Sequence, residues 1–306
     1  MIRFVTKLAL FAAVNIAAAA VVLSVVDTRY RFEQYETDSI VLSMPRDADV
    51  GLLIMGTSRA RLLTRVKCNL ECVKRETGLD VFNIAVPFGG GIVPEKIYLE
   101  QFYARGNRVR TIVYFLDAFT MYSPVPNRNH RFVYYEPLRP SLLLAMVRNE
   151  IPLRRLLIYV QSKFTWRWLN LAAGTVECDY RTFEKEFKPG RARLRTESMY
   201  FDGLNEKHFK HYAQTLRDIL ALAKSQGAGV IIAFPPTLLG PQPGAERLCA
   251  LLDEAKRTWP LEFYDFTGAV ADPALYSDYD HLNSPGVEIF VKQHLAPVLA
   301  RSGAQN

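Results

Sequence analysis

The stretch LLIMGTSRARLL, residues 52–63, joins a short apolar run to an arginine-rich helical pattern through Gly-Thr-Ser. Leu52–Met55 has the length and composition of a buried strand. Gly56 allows the sharp turn that follows it, and Thr57 or Ser58 can cap the next helix. The stretch therefore predicts a strand, a tight turn and a helix.

Ser58 has two interpretations at this point. In the first, it belongs to a turn and caps a helix, with no further role. In the second, it is a nucleophile on a strand-to-helix turn, near backbone N–H groups that could hold an oxyanion. Gly-Thr-Ser alone does not decide between them, so the rest of the chain must.

Outside this stretch, short apolar runs alternate with helical patterns. Strands are predicted over residues 51–55, 81–85, 111–116, 229–234 and 261–266, and helices over residues 59–77, 94–105, 205–226, 244–257 and 284–300. Short apolar strands separated by helices are typical of a parallel sheet covered on both faces. A chain of 306 residues, 49% of them hydrophobic, can bury such a core. We expect an α/β fold, a parallel sheet in three layers.

The N-terminus is different in composition from the rest of the chain. Leu8–Val26 contains no charged residue, and its length is close to the ~20 residues that a membrane-spanning helix needs. A cleaved signal peptide is the alternative, since Ala17–Ala20 offers small residues of the cleavage type. The apolar run continues to Val26, which favours an uncleaved anchor over residues 1–28.

Arg3 and Lys7 precede the apolar run. The positive-inside rule then puts the folded body outside the cytoplasm. We expect a single-pass protein of the inner membrane that contacts lipid through its N-terminal helix and has its catalytic domain on the periplasmic side. A cleaved signal peptide would also export the domain.

The strand–helix alternation breaks over residues 120–200, an inserted segment between the third and fourth strands. This segment holds 14 Lys or Arg and 7 Asp or Glu, and its aromatic residues include Tyr134, Tyr135, Trp166 and Trp168. It could bind acidic lipid, a glycan or a partner protein, or it could be a solvated cap with a small core of its own. Residues 29–119 and 201–306 would form the α/β domain. Nucleic acid is not expected as a partner of an exported domain.

No metal site is expected. The four cysteines lack the spacing and the neighbouring histidines of a zinc site, and in an oxidising compartment they could form disulfides. Their pairing is left open for Cys68, Cys72, Cys178 and Cys249. His208 and His211 suggest a metal site, but they lie in a charged helical pattern that predicts a solvated face.

The second candidate site stretch is YSDYDHLNSPG, residues 276–286. Asp278 and His281 are three residues apart in a predicted loop, a spacing that brings a carboxylate beside an imidazole and can fix its tautomer. Asp280 is expected to point away. Because loops that follow parallel strands gather at the carboxyl edge of the sheet, this loop and the Ser58 turn can reach one crevice.

At this point the sequence resembles a family, the SGNH (GDSL-type) hydrolases, whose fold is flavodoxin-like. The resemblance covers residues 50–300 in order and spacing, and four short blocks carry it: IMGTSRA (54–60), VFNIAVPFGGG (81–91), IVYFLDAF (112–119) and DYDHLN (278–283). The GTSRA, LDAF and FPP motifs after an N-terminal anchor resemble the envelope-modifying branch. Those proteins act with membrane-bound O-acyltransferases in acylating exported polysaccharides or teichoic acids.

The resemblance implies a role for each matching residue. Ser58 would attack an ester carbonyl, His281 would act as general base and then acid, and Asp278 would orient His281. Backbone N–H groups of Ser58 and Gly89 would bind the oxyanion, with Asn83 supporting the loop. No cofactor and no metal would be needed.

Two positions depart from the family pattern. Asp117 stands where the family carries an Asn that donates to the oxyanion, and a carboxylate cannot donate unless it is protonated. Asp117 would then be structural or orient a substrate hydroxyl. Phe88 stands where the family carries a Gly, so that Gly89 or Gly90 must serve, and we favour Gly89.

The expected function is that of an exported serine esterase or O-acyltransferase acting on acyl esters of a cell-envelope polysaccharide. Its expected partners are membrane lipid, the polysaccharide and a membrane-bound O-acyltransferase. The alternatives are a general lipase or esterase, and a non-catalytic SGNH-like binding subunit of an envelope acylation or polysaccharide export complex. An α/β-hydrolase fits less well, because its Asp and His lie far apart in sequence.

Overall fold

The computed structural model describes residues 2–29, 39–64, 67–86, 90–128, 131–134, 136–163, 178–182 and 187–303. Five strands form one parallel sheet in the order β2-β1-β3-β4-β5. Their bounds are Asp49–Gly56 for β1, Val81–Asn83 for β2, Arg108–Phe115 for β3, Gly229–Phe234 for β4 and Leu261–Asp265 for β5. The predicted α/β class and parallel sheet are confirmed.

The first strand, β1, lies inside the sheet with a neighbour on each side. Leu53 pairs with Phe82 of β2 and with Ile112 of β3. The strand order changes direction between β1 and β3, and at such a switch point the loops after the strands leave a crevice at the carboxyl edge. Ser58 follows β1 and therefore lies at this crevice.

Each face of the sheet is covered by a hydrophobic cluster. Leu53 and Met55 of β1 belong to the cluster on one face, whereas Leu52 and Ile54 belong to the cluster on the other. Successive side chains of a strand point to opposite faces, so an unbroken apolar run is what a strand buried on both faces requires. This arrangement is consistent with three layers.

Helices connect the strands largely where the sequence predicts them. The helices of the α/β domain are Ile40–Ser43, Ser58–Arg61, Leu70–Thr77, Ile92–Ala104, Glu206–Ser225, Ala245–Ala255, Ser284–Phe290 and Ala296–Arg301, with a 3₁₀ turn over Pro273–Leu275 and a π-helical turn over Val291–Leu295. The helix predicted over residues 59–77 is instead two helices. Cys68 has a positive φ of 62°, and the Asn69 side chain donates to the carbonyl of Leu62 at 2.8 Å, so the chain turns between them.

The inserted segment consists largely of helices where it is described. Its helices are Ala118–Tyr122, Pro124–Asn127, Pro140–Arg148, Leu153–Ser162 and Pro189–Met199, with a 3₁₀ turn over Arg131–Tyr134. Its buried apolar side chains, Phe132, Met146 and Tyr159 among them, join the same cluster as β1 and β3. They therefore extend the main core. Tyr135, Trp166 and Trp168 lie outside the described residues.

The first helix, Ile2–Arg29, contains the predicted anchor Leu8–Val26. Its large apolar side chains are exposed, with Phe11 at 68% and Ile16 at 69%. The side chains of residues 22–29 lie outside the description. Within the described part of the chain, no helix combines the length and the apolar character required to span a membrane.

Candidate active site

Gly56 makes the turn that presents Ser58. Its φ of 142° lies in a region that side chains other than glycine rarely adopt. A Cβ at this position would come within 2.5 Å of the Phe115 carbonyl oxygen and 2.9 Å of Ala60 Cβ. The chain can therefore pass from β1 directly into the short helix Ser58–Arg61, with Ser58 as its first residue.

Ser58, His281 and Asp278 form one hydrogen-bonded row. Ser58 Oγ lies 2.8 Å from His281 Nε2, and His281 Nδ1 lies 2.9 Å from Asp278 Oδ2. An ionised carboxylate only accepts hydrogen bonds, so Nδ1 is the ring nitrogen that donates. Nε2 is then free to accept the Ser58 hydroxyl proton, which is the arrangement a general base needs.

A tight turn holds Asp278 beside the ring. Its Oδ1 accepts the backbone N–H groups of Asp280 and His281, each at 2.8 Å. The Ser277 N–H donates to the His281 carbonyl at 2.9 Å and closes the loop. Asn283 then caps the helix Ser284–Phe290 by accepting the Gly286 N–H. The D-x-x-H spacing works because the aspartate orders the same turn that carries the histidine.

Asn83, at the end of β2, supports the turn that carries Ser58. Its Nδ2 donates to the carbonyls of Ala60 at 2.9 Å and Leu63 at 3.3 Å, and its Oδ1 accepts the Ala85 N–H at 2.8 Å. These bonds tie the short helix after Ser58 to the neighbouring strand. Asn83 is buried and structural in this geometry.

The two candidate oxyanion glycines differ in what the structure describes. Gly89 lies outside the described residues. Gly90 is buried, and a Cβ there would come within 2.1 Å of Val86 Cγ1. Gly90 is therefore needed for close packing of this loop, whichever N–H group faces a substrate.

Asp117, which follows β3, is fully buried. Thr57 donates to its Oδ2 at 2.9 Å, and the Arg59 guanidinium forms an ion pair with its Oδ1. Burial raises the pKa of Asp117, and the charge of Arg59 opposes this rise. Both carboxylate oxygens are occupied by protein groups, so this geometry fits the structural role and offers nothing to a substrate hydroxyl.

Arg59 and Asp280 are site residues that the motif reasoning did not include. The Arg59 guanidinium is buried between Asp117 and Asp280, and its Nη2 lies 3.3 Å from Asp280 Oδ2. Asp280 does not point away from His281, since its Oδ1 is 3.6 Å from His281 Nδ1. The signal available in the sequence was the arginine directly after the candidate nucleophile.

The buried charges stabilise each other. Burial would raise the pKa of Asp280, but Arg59, His281 and Arg195 hold it well below its usual range. Burial would likewise lower the pKa of Arg59, yet the charges of Asp117 and Asp280 raise it. Both groups are therefore charged at neutral pH, and each is compensated.

Among the described residues, ligand atoms of Asp278, Asp280 and His281 lie within 4.8 Å of one another. Hydrogen bonds and ion pairs account for this closeness, because both ring nitrogens of His281 have partners and Asp280 faces two guanidinium groups. This donor set is engaged within the protein and does not resemble a site built for a metal.

His208 and His211 lie elsewhere in the fold. They line a cleft of about 600 Å³ between the start of the helix Glu206–Ser225 and the inserted segment. Arg128 and Lys207 also line this cleft. His208 is half-buried, with its Nε2 3.8 Å from Asp202.

Comparison with known proteins adds no assignment: no model of a protein family matches the chain, and no curated protein matches it. The chemistry of the site therefore rests on its geometry.

Proposed function

We propose that the protein is an exported serine ester hydrolase or O-acyltransferase of SGNH type. The observation that carries this proposal is the row Ser58–His281–Asp278, with distances of 2.8 Å and 2.9 Å. Its position at the carboxyl edge of a parallel sheet adds support. The strand order β2-β1-β3-β4-β5 is that of flavodoxin-like folds, which fits the finer fold class that the sequence motifs imply.

The reaction follows from the hydrogen bonds. Ser58 Oγ attacks the ester carbonyl while His281 Nε2 takes its proton, and Asp278 stabilises the imidazolium that forms. The alkoxide leaves with the proton from His281, so Ser58 carries the acyl group. Water or a glycan hydroxyl, deprotonated by His281, then releases the acyl group as acid or as a new ester.

The oxyanion would be held by backbone N–H groups. Ser58 is the first residue of a short helix, and Gly89, favoured as the second donor, precedes the helix Ile92–Ala104 in the sequence. Asp117 supplies no donor in this scheme, since its carboxylate is buried against Thr57 and Arg59.

Export is part of the proposal. A Cys68–Cys178 disulfide is typical of proteins in oxidising compartments, and the uncharged run Leu8–Val26 fits an inner-membrane anchor with the body in the periplasm. An exported polysaccharide would then be the acyl acceptor or donor, and a membrane-bound O-acyltransferase the partner that supplies acyl groups.

The test is covalent labelling of the full chain with a fluorophosphonate, which reacts with activated serines. We expect labelling of the wild type at Ser58, hydrolysis of a small acetyl ester, and loss of both in Ser58→Ala. Ser225→Ala is the matched control, because Ser225 is exposed at the end of the helix Glu206–Ser225 and donates to the carbonyl of Leu222.

Two results would count against the proposal. If the wild type takes no label and cleaves no ester, the site does not activate Ser58. If, in addition to this first result, Ser58→Ala leaves envelope acylation unchanged in cells, the protein is a binding subunit without turnover.

A further inference from the structure

Arg195 reaches the active-site loop from the inserted segment. It lies in the helix Pro189–Met199, and its Nε and Nη2 donate to the two carboxylate oxygens of Asp280, each at 3.0 Å. This is a paired, planar contact, the strongest form of an arginine–carboxylate interaction. Asp280 is 4% exposed at its side chain, whereas Arg195 is 44% exposed.

The same segment is attached to this loop at further points. Asp179 and Ser284 exchange two hydrogen bonds, from Ser284 N–H to the Asp179 carbonyl at 2.7 Å and from Asp179 N–H to Ser284 Oγ at 3.2 Å. Tyr279 donates its hydroxyl proton to the Lys188 carbonyl at 3.3 Å. The inserted segment therefore touches the histidine loop on both sides of His281.

We propose that Arg195 is a positioning residue for His281 that acts through Asp280, so that the inserted segment completes the active site. This inference rests on the proposed function, because it names a residue that the ester chemistry of Ser58 depends on. It assigns to residues 120–200 a part in catalysis beyond covering the core or binding a partner.

The charges around His281 give Arg195 a second effect. Asp278 and Asp280 face the ring from its own loop, and Ser58 contacts it from the helix Ser58–Arg61. The buried Arg59 of the same helix pairs with Asp280. Asp117 lies behind Arg59. Arg195 is the charge from the inserted segment, and it neutralises part of the Asp280 carboxylate that lies 3.6 Å from His281 Nδ1.

Removal of Arg195 should shift the pH dependence of activity in one direction. The Asp280 carboxylate keeps Arg59 but loses its two hydrogen bonds from Arg195, so more negative potential reaches the imidazole and favours the imidazolium. His281 must be neutral to accept the Ser58 proton. The acidic limb of the pH profile should therefore move to higher pH.

The experiment compares Arg195→Gln with Arg193→Gln in the full chain. Arg193 lies in the same helix and is also exposed, but it pairs with Glu197 on the surface. For Arg195→Gln we expect kcat/KM for a small ester to fall by about tenfold at pH 7 with little change in KM. We also expect the acidic midpoint to rise by roughly half a pH unit or more, with partial recovery in Arg195→Lys. Arg193→Gln should match the wild type.

Direct NMR titration of the His281 ring tests the inference independently of turnover. The His281 signals are assigned with the variant His281→Gln. A His281 midpoint in Arg195→Gln that equals that of Arg193→Gln overturns the inference. An inactive wild type overturns the proposed function, and the titration still reports whether Arg195 controls His281 through Asp280. Activity lost in Arg195→Gln without any change of midpoint or pH profile also overturns it, since a general loss of folding would explain that result.

Discussion

A serine hydroxyl is a weak nucleophile until a base accepts its proton. His281 Nε2 is 2.8 Å from Ser58 Oγ, and the far ring nitrogen is held by Asp278. The three side chains come from two turns that follow different strands, so their alignment depends on the sheet. On the proposed function, we expect the three side chains to act as one unit.

This coupling predicts non-additive losses. Ser58→Ala and His281→Ala should each remove nearly all acyl transfer, and the double variant should be scarcely worse than either, because each change alone stops the same proton transfer. Asp278→Asn should retain more activity, with the ring less firmly oriented. Steady-state kcat/KM on one ester measures all four. A double variant whose fold-loss of activity equals the product of the two single fold-losses would show that the residues act independently.

Glu95, in the helix Ile92–Ala104, is a buried carboxyl group whose pKa departs from its ordinary value. Its Oε2 accepts a hydrogen bond from the Tyr114 hydroxyl. Burial raises the pKa of Glu95 to about 8, the bond from Tyr114 opposes the rise, and the charge of Asp117 adds to it. The folded protein therefore keeps a proton on Glu95 at neutral pH.

The sign of the resulting pH dependence follows from linkage. In the unfolded chain Glu95 titrates near 4.3, so below that pH both states are protonated and the contribution to stability is complete. As the pH rises towards 8, the unfolded state releases the proton and the folded state keeps it, which lowers the free energy of unfolding by at most ~1.4 kcal/mol per pH unit. Glu95→Gln should lack this fall between pH 5 and 8 in urea unfolding. Glu246→Gln, at an exposed position, should keep the wild-type slope, and equal slopes in all three proteins would refute the assignment.

Features of the candidate site that follow from local turns or from the topology of the sheet could be predicted from the sequence, whereas the contact of the inserted segment with Asp280 could not. Ser58 and the Asp278–His281 pair lie in turns whose geometry is set by neighbours within a few residues. The contact of Arg195 with Asp280 joins positions 85 residues apart, and no local pattern encodes it. Adjacency to His281 alone predicts that Asp280 points away, and this is wrong because Arg59 and Arg195 hold its carboxylate near the ring.

At the scale of elements, the sequence predicts a bound well where local signals mark it and fails where a distant contact breaks the pattern. β4 has the predicted bounds, 229–234, because an apolar run with turn residues on both sides leaves little freedom. The predicted helix 59–77 is broken, since the chain must turn where Cys68 bonds to Cys178. Cysteine pairing depends on the folded positions of distant segments, so it could not be predicted from the sequence.

This disulfide also fastens the inserted segment to the region after Ser58. It closes a loop across a sequence separation of 110 residues, and a crosslink of that span restricts the unfolded chain strongly. Replacing Cys68 and Cys178 together by Ser should lower the free energy of unfolding by about 2–5 kcal/mol. Urea unfolding measures the change.

Two controls sharpen this prediction. A reductant should destabilise the wild type and leave the double Ser variant unchanged. Cys249→Ser removes a half-buried free thiol and should have little effect on stability in either condition. A wild type that is insensitive to reductant while its disulfide is shown to be open would contradict the prediction.

At the scale of the whole molecule, one core joins the sheet and the inserted segment. Phe132, Met146 and Tyr159 pack in the same cluster as the strands, so part of a segment recognised in the sequence by its charge belongs to the main core. Lys163 of this segment is also buried, and it donates to the Val133 carbonyl at 2.7 Å. Binary patterning predicted the parallel sheet, whereas the packing of irregular helices depended on contacts that only the fold creates.

The N-terminal helix decides where the whole molecule is located if it acts as a membrane anchor. Ile2–Arg29 is a continuous helix with exposed apolar side chains, Phe11 and Ile16 among them, and Leu8–Val26 is free of charge. A charged residue at the centre of a spanning helix costs about 2.5–3.5 kcal/mol on insertion scales. If this helix anchors the protein, the wild type should stay in the membrane pellet after carbonate extraction, and a protease added outside the inner membrane should digest its body. Val14→Arg together with Ile16→Arg should move the protein to the soluble fraction, whereas Thr6→Arg, outside the apolar run and on its positively charged side, should not. A soluble wild type whose N-terminus begins near residue 21 would show instead that the segment is a cleaved signal peptide.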